Sequence, residues 1–197
     1  MSFNLSAQDK SYWMCFNFSV EKQSDATDLV SAVDMLMNAE EMSQLPYTVF
    51  LFEINFANSK SGFTHQLCFL AQNADYLKQW GGGPGQFAES MLTNRIFEDV
   101  ATPYSSVLAS PLIFDSEKAG SYAYANVWEV KVTDVEKFAS LASDFIEANS
   151  NTFDGVIELH EAISGAESGV THFMVARSNN LGDWLRGRES VFANPKS

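Results

Sequence analysis

Gly62-Phe63-Thr64-His65 returns 107 residues later as Gly169-Val170-Thr171-His172, and Asn73 and Asn180 keep the same offset. A period this long exceeds any solenoid unit. It reads as two copies of one small domain joined head to tail. What flanks each match decides what that domain is.

Upstream of the first match, Tyr12, Met14, Phe16, Phe18 and Val20 alternate with Trp13, Cys15, Asn17 and Ser19, the period of two that marks a strand. Ser24 or Asp25 is placed to cap a helix running to about Met42, with Leu29, Val33, Leu36 and Met37 as its apolar stripe. Tyr47 to Ala57 predicts a second strand, residues 58–62 a turn, and Phe63 to Ala71 a third strand completing a hairpin. Asn73 caps a short helix that ends near Trp80.

The second copy repeats the order. Tyr124 to Val132 is the strand. Thr133 and Glu136 have the spacing of a capping box, and Val135, Phe138, Ala142, Phe145 and Ile146 form the apolar face of the helix behind it. Gly155 to Ile163 and Val170 to Ser178 predict the hairpin, and Asn180 caps a final helix. Each copy reads β-α-β-β-α, the start of a ferredoxin-like order. Val107 to Phe114, flanked or interrupted by Pro103 and Pro111, is expected to supply a fourth, edge strand to the first copy. Only Val191-Phe192 remains for the second, so its last strand is expected to be short or missing. Residues 86–100 predict an extra helix between the copies. The expected domains are 1–115 and 121–197, with 115–120 as linker.

A ferredoxin-like sheet covers one face with helices and leaves the other bare. Apolar side chains on that face need cover, since each large one contributes about 1.5–3 kcal/mol when buried. The tandem order, the bare face and the two Gly-x-Thr-His matches resemble the dimeric α/β-barrel superfamily. Its members include antibiotic-biosynthesis and haem-degrading monooxygenases, muconolactone isomerases and chlorite-dismutase-like proteins. The resemblance implies an α+β fold: two ferredoxin-like β-α-β-β-α-(β) repeats packed sheet to sheet as an intramolecular dimeric α/β barrel. Fusion makes that pairing intramolecular.

Composition bounds the function. With 197 residues, 46% hydrophobic and 16 Phe, the chain is long and apolar enough for a sizeable core. Its formal charge of −13 repels phosphate backbones and anionic lipid, which argues against nucleic-acid and membrane partners. The first ten residues lack the basic start and apolar stretch of a signal peptide. Cys15 and Cys68 sit in apolar runs and are expected as free, buried thiols in a reducing cytoplasm. The expected assembly is a monomer (a pseudo-dimer) or a homodimer.

Candidate chemistry lies at polar positions inside apolar strands: Asn17, Glu53 and Gln66 in the first copy, and Glu129, Glu158, His160 and Arg177 in the second. At the uniform offset Glu53 corresponds to His160, Leu51 to Glu158 and Leu70 to Arg177, so the second copy has the more polar interior. Glu53, His160 and Arg177 are the expected base, acid and anion partner. Trp13, Asn17, Gln66, Trp128, Glu129 and Glu158 are expected to line a ligand pocket. The alternative is that Glu158 and His160 lie on a solvated strand end. His65 and His172 make a poor zinc site and read better as turn-bonding groups. Residues 81–85 (Gly-Gly-Gly-Pro-Gly) lack the Lys-Ser/Thr of a phosphate loop. No metal or cofactor is expected. The resemblance implies a small-molecule-binding barrel, with cofactor-independent monooxygenation or isomerisation of an aromatic or polyketide-like compound as the expected activity. A non-catalytic ligand-binding or protein-interaction barrel is the alternative. The haem-degrading relatives use an Asn, a Trp and a His; Asn17 and Trp13 match, but no His follows the third strand.

Overall fold

A computed structural model describes residues 10–38, 47–56, 62–77 and 100–194. The expected helix over 86–100, apart from its last residue, and the glycine-rich 81–85 segment fall outside these residues. The chain divides into two compact units, Met1–Leu108 and Ala109–Ser197. The division falls inside a strand rather than in the expected linker.

Unit 1 contains β1 (Tyr12–Ser19), α1 (Gln23–Met37), β2 (Tyr47–Glu53), β3 (His65–Ala71) and α2 (Ala74–Leu77), followed by the first half of β4 (Thr102–Ile113). Its strands lie in the order β2-β3-β1-β4, the ferredoxin-like order, with β1 and β2 each antiparallel to β3. The alternation of β1 sends Met14, Phe16 and Phe18 to one face. There they join Leu67 and Phe69 of β3 and Leu29 and Val33 of α1 in the core. The other face carries Trp13, Cys15 and Asn17 beside Leu70, Cys68 and Gln66, their partners in register.

Cys15 and Cys68 stand directly opposite each other and form a disulfide, with Cα atoms 4.1 Å apart. This corrects the expectation of two free thiols. Each lies in an apolar run, but the register of two antiparallel strands aligns them, and sequence spacing alone does not reveal a register. The close Cα approach is that of a non-hydrogen-bonded pair, where side chains meet most closely.

Unit 2 contains the rest of β4, then α3 (Ser116–Ala119), β5 (Tyr124–Val130), α4 (Val135–Asn149), β6 (Val156–Ser164), β7 (His172–Ser178) and α5 (Leu181–Ala193). Its order is β4-β6-β7-β5, with β5 and β6 each antiparallel to β7. Phe153, Ala176 and Val191 form the helix-side core, with Phe145, Ile157 and Trp184 packed on it. The expected linker contains a short helix, α3, capped by the Asp115 carboxylate. Residues 191–192 belong to α5, and no strand follows it among the described residues, so the place beside β5 where a fourth strand would pair is filled by none of them.

Two cap expectations hold and two shift: α1 begins at Gln23, so Ser24 and Asp25 lie within its first turn and not at its cap. Asn73 accepts from the Asp75 amide (3.0 Å) and Asn180 from the Asp183 amide (3.0 Å). At α4 the cap is Asp134, which accepts from the Lys137 amide (3.0 Å), rather than Thr133. A carboxylate at the N-terminal end also meets the helix dipole favourably.

Both Thr-His pairs make the same bonds. The Thr64 hydroxyl accepts from the Val20 amide and the Thr171 hydroxyl from the Val132 amide, each at 2.9 Å. The threonine amides donate to Phe18 O and Val130 O, each at 3.0 Å, and the threonine carbonyls accept from Ile54 and Ala162, each at 2.8 Å. Each imidazole Nδ1 lies 2.9 Å from its neighbouring threonine hydroxyl. The repeated tetrapeptide is therefore a strand-end clamp.

Candidate functional site

On β6, Glu158 and His160 are two residues apart and share a face. On β7, Arg177 is paired with Val156 and so shares that face too. It is the face turned away from the core formed by Ile157, Ala176 and the helices. His160 Nε2 lies 3.0 Å from Glu158 Oε2, and Arg177 Nε donates to Glu158 Oε1 at 2.9 Å. Glu158, His160 and Arg177 are 1%, 4% and 5% exposed. The alternative of a solvated strand end is thereby set aside.

The Glu158 carboxylate accepts from Arg177 Nε on one oxygen and meets His160 Nε2 with the other. A carboxylate that orients a histidine while an arginine holds the carboxylate is the arrangement of a positioned general base. Pairing in a dry interior carries a desolvation cost that often exceeds the attraction, so stability alone is a weak reason for three ionisable groups here.

The pairing register changes which unit 1 residues correspond to them. Gln66 and Phe173 keep the offset of 107, but Gln66 stands opposite Phe52 whereas Phe173 stands opposite His160. The counterparts of Glu158, His160 and Arg177 are therefore Phe50, Phe52 and Leu70. The expected equivalence of Glu53 with His160, and of Leu51 with Glu158, is corrected by one residue. The cause is the hairpin: nine residues separate Ile54 from Thr64, but eight separate Ala162 from Thr171, between ends closed by the same hydrogen bond.

Glu53 accordingly shares the helix-side face of β2 with Tyr47, Val49 and Leu51, lies exposed, and stands opposite His65. Burial lowers the His65 pKa and the Glu53 carboxylate partly offsets this. Trp128 also falls on the helix side of its strand, 6.1 Å from the Trp184 ring. Glu129 shares the face of Glu158; it is exposed, and its pKa is raised by desolvation and by the nearby Glu167.

Unit 1 gathers its own candidates. Gln66 Nε2 donates to Asn17 Oδ1 (2.7 Å), and Asn17 Nδ2 donates to Ser105 Oγ (2.9 Å). Trp13, on the same face, packs 5.3 Å from the Phe50 ring. Asn17 and Trp13 thus share a face with the disulfide between them, and α2 contains no histidine. These residues do not make up an Asn-Trp-His set.

His172 points to the other side, its ring 5.6 Å from Phe138 of α4. The Thr171 hydroxyl donates to Val130 O (3.2 Å), so the 2.9 Å contact is His172 Nδ1–H donating to that hydroxyl. Among the described residues the buried His172 Nε2 has no hydrogen-bond partner. Burial holds the His172 pKa below its ordinary value, with Glu161 acting in the opposite direction. Among the described residues no cluster of three or more His, Cys, Asp or Glu side chains has metal-binding geometry.

Two residues were invisible as candidates. Ser105 is remote in sequence from Asn17. Phe114, just beyond β4, places its ring 5.9 Å from that of His160. Neither has a motif, and only the strand order brings each to its partner.

No protein-family model matches the chain, and no curated protein does. Solved structures do. Chlorite dismutase from Candidatus Nitrospira defluvii in complex with imidazole superposes with a TM-score of 0.56 at 12% identity, over 94% of this chain and 84% of that one. A tryptophan variant of the same enzyme in complex with cyanide gives 0.57 at 12%, over 94% and 83%. TA0507, a provisionally assigned chlorite dismutase, gives 0.57 at 10%, over 94% and 87%. The chain has the α+β fold of these structures.

Proposed function

We propose that this protein binds a small molecule and acts on it through Glu158, His160 and Arg177, and that its two ferredoxin-like units descend from one duplicated ancestor. The observation that carries the reading is the asymmetry of corresponding positions: three buried ionisable groups in unit 2 where the register gives Phe50, Phe52 and Leu70 in unit 1. The imidazole and cyanide complexes of the structural neighbours lend support to a small-ligand site on this fold.

The reaction class that fits is proton removal from an activated carbon of an aromatic or polyketide-like compound, without a cofactor. His160 Nδ1 takes the proton, Glu158 stabilises the imidazolium that forms, and Arg177 stabilises charge on the substrate anion. Returning the proton at another carbon gives isomerisation; reaction of the anion with dioxygen gives oxygenation. Glu53 has no part in this proposal, since its face and its partner are different. The disulfide further favours an oxidising environment over the cytoplasm expected from sequence.

Incubation with a panel of hydroxylated polycyclic aromatics, followed by dioxygen uptake and product mass, tests the reading. Turnover should fall at least a hundredfold in His160→Ala and be weakened in Arg177→Met. Saturable binding with equal, background conversion in wild type and His160→Ala would establish the non-catalytic alternative. Addition of haemin should leave the spectrum that of free haemin; a shifted Soret band would overturn the cofactor-free assignment.

A further inference from the structure

β5 has a neighbour on one side only among the described strands. In unit 1 the first strand, β1, stands between β3 and β4; its counterpart in unit 2, β5, has β7 on one side and no described strand on the other. Val130 O accepts from the Thr171 amide (3.0 Å), so Val130 turns its peptide groups toward β7. Alternation turns those of Tyr124, Asn126 and Trp128 the same way. Ala125, Val127 and Glu129 therefore aim N–H and C=O at the outer edge.

Natural edges are commonly blunted by lysine or proline. β5 contains neither, and its one charge is Glu129. Side chains on both of its faces reach solvent: Val127 is 52% exposed on one and Trp128 40% on the other. α5 extends this apolar surface. Its sheet-facing side carries Trp184, against the rings of Tyr124 and Trp128, together with buried Gly187 and Val191. One flank, with Asp183, Arg186 and Ser190, lines a depression beside Thr152 and Asp154, just ahead of β6. The opposite flank is therefore turned from β6 toward the outer edge of β5. It presents Leu181, Leu185 and Phe192, all exposed, at helical spacing. Arg188, the one charge in that row, lies 4.8 Å over the Phe192 ring.

We propose that two copies of this protein pair through β5, antiparallel and edge to edge, about a two-fold axis at Val127. This is the one register that pairs Tyr124–Val130 with itself over its whole length. Val127 meets Val127, and each Ala125 meets Glu129 of the second copy, with about six main-chain hydrogen bonds between them. Glu129 is kept from facing Glu129, which would be destabilising. The two-fold places both α5 rows on one side of the joined sheet, flanking the axis. Edge and helix are about 24 Å and 20 Å long. Over two layers each about 10 Å deep, the contact covers roughly 450 Å² per copy, against about 800 Å² in a standard complex. The pair is therefore reversible, with a Kd of micromolar order or weaker. A charge of −13 on each copy opposes approach, so salt should tighten it. The inference is independent of the catalytic reading.

Sedimentation equilibrium from micromolar to near-millimolar protein tests it. Wild type should pass from 21.8 kDa toward twice that mass, and at lower concentration when salt is raised. Val127→Pro removes the central outward N–H at a position where an edge strand tolerates proline, and should weaken pairing at least tenfold. Leu185→Asp should weaken it from the helix row, and thermal midpoints identify which of the two stays folded. Ala125→Lys, set opposite Glu129 of the second copy, should tighten pairing at least twofold, and Ala125→Glu should weaken it. Ser190→Lys, the same charge change on the far flank of α5, should move it less than Ala125→Lys. A monomer at every concentration, or unaltered pairing in whichever of Val127→Pro and Leu185→Asp stays folded, overturns the interface. Growth beyond a dimer overturns the two-fold. Equal effects of Ala125→Lys and Ala125→Glu overturn the register.

Discussion

Removing the Cys15–Cys68 bond should be the largest single loss of stability available in unit 1. The bridge closes a loop with a sequence separation of 53 residues. The chain-entropy relation for such a loop gives about 14 cal/mol/K, or about 4 kcal/mol at 25 °C. Total stabilities of about 5–15 kcal/mol are typical, so this is a third or more of a mid-range value. Cys15→Ala with Cys68→Ala isolates the effect better than serine, since Cys68 is buried and a hydroxyl there would add an unmet polar group. The assay is guanidinium unfolding with and without dithiothreitol. The wild-type midpoint should fall on reduction to near that of the double variant, whose own midpoint should ignore the reductant. The denaturant slope should rise when the bond is absent, because the untethered unfolded chain exposes more surface. Two titratable thiols in the native protein, or identical wild-type midpoints under both conditions, would refute the reasoning.

Replacing Glu158 by Ala leaves a buried guanidinium without this counter-charge and should cost about 3–5 kcal/mol, whereas Glu158→Leu with Arg177→Met should restore much of it; chemical denaturation of the single and double variants decides. His172 titrates below its unfolded value, so the neutral form is favoured by folding and stability is full above about pH 6.5, declining as pH falls through that value toward the lower folded pKa; thermal midpoints from pH 5 to 8 should flatten in His172→Phe. A Cβ on Gly155 would lie 2.0 Å from the Arg177 carbonyl oxygen and 2.6 Å from the Phe153 ring, so Gly155→Ala should cost at least about 1–3 kcal/mol, measured by the same denaturation. On Gly187 a Cβ would meet the Phe153 ring at 2.5 Å, and Gly187→Ala should be destabilising through side-chain overpacking alone.

The strands were legible because alternation survives even where both faces are apolar: Tyr12–Ser19 and Tyr124–Val130 agree with the predicted runs to within two residues. The helices declared themselves through Asn73 and Asn180, whose caps are local chemistry. Pairing was not legible. The disulfide, the alliance of Asn17 with Ser105, and the approach of Phe114 to His160 all depend on which strands are neighbours and in which register. The polar set Glu129, Glu158, His160 and Arg177 was recognisable because charged residues interrupt apolar strands, but alternation did not show that Glu129 stays exposed while the other three are buried. Glu53 was grouped with it only because a uniform offset takes no account of a turn one residue shorter. Trp128 was taken for a pocket residue because an alternating strand does not reveal which of its sides meets the helices.

That shortened turn has an evolutionary reach. Deleting one residue from a hairpin slides a whole strand past its neighbour, so every inward group becomes an outward one without any substitution. A duplicated domain can thus acquire a new lining in a single genetic event and refine it afterwards. In any protein built by duplication, halves compared letter by letter would then hide their kinship where it is most informative, and ancestry is better traced by aligning partners across the ladder than by counting along the chain.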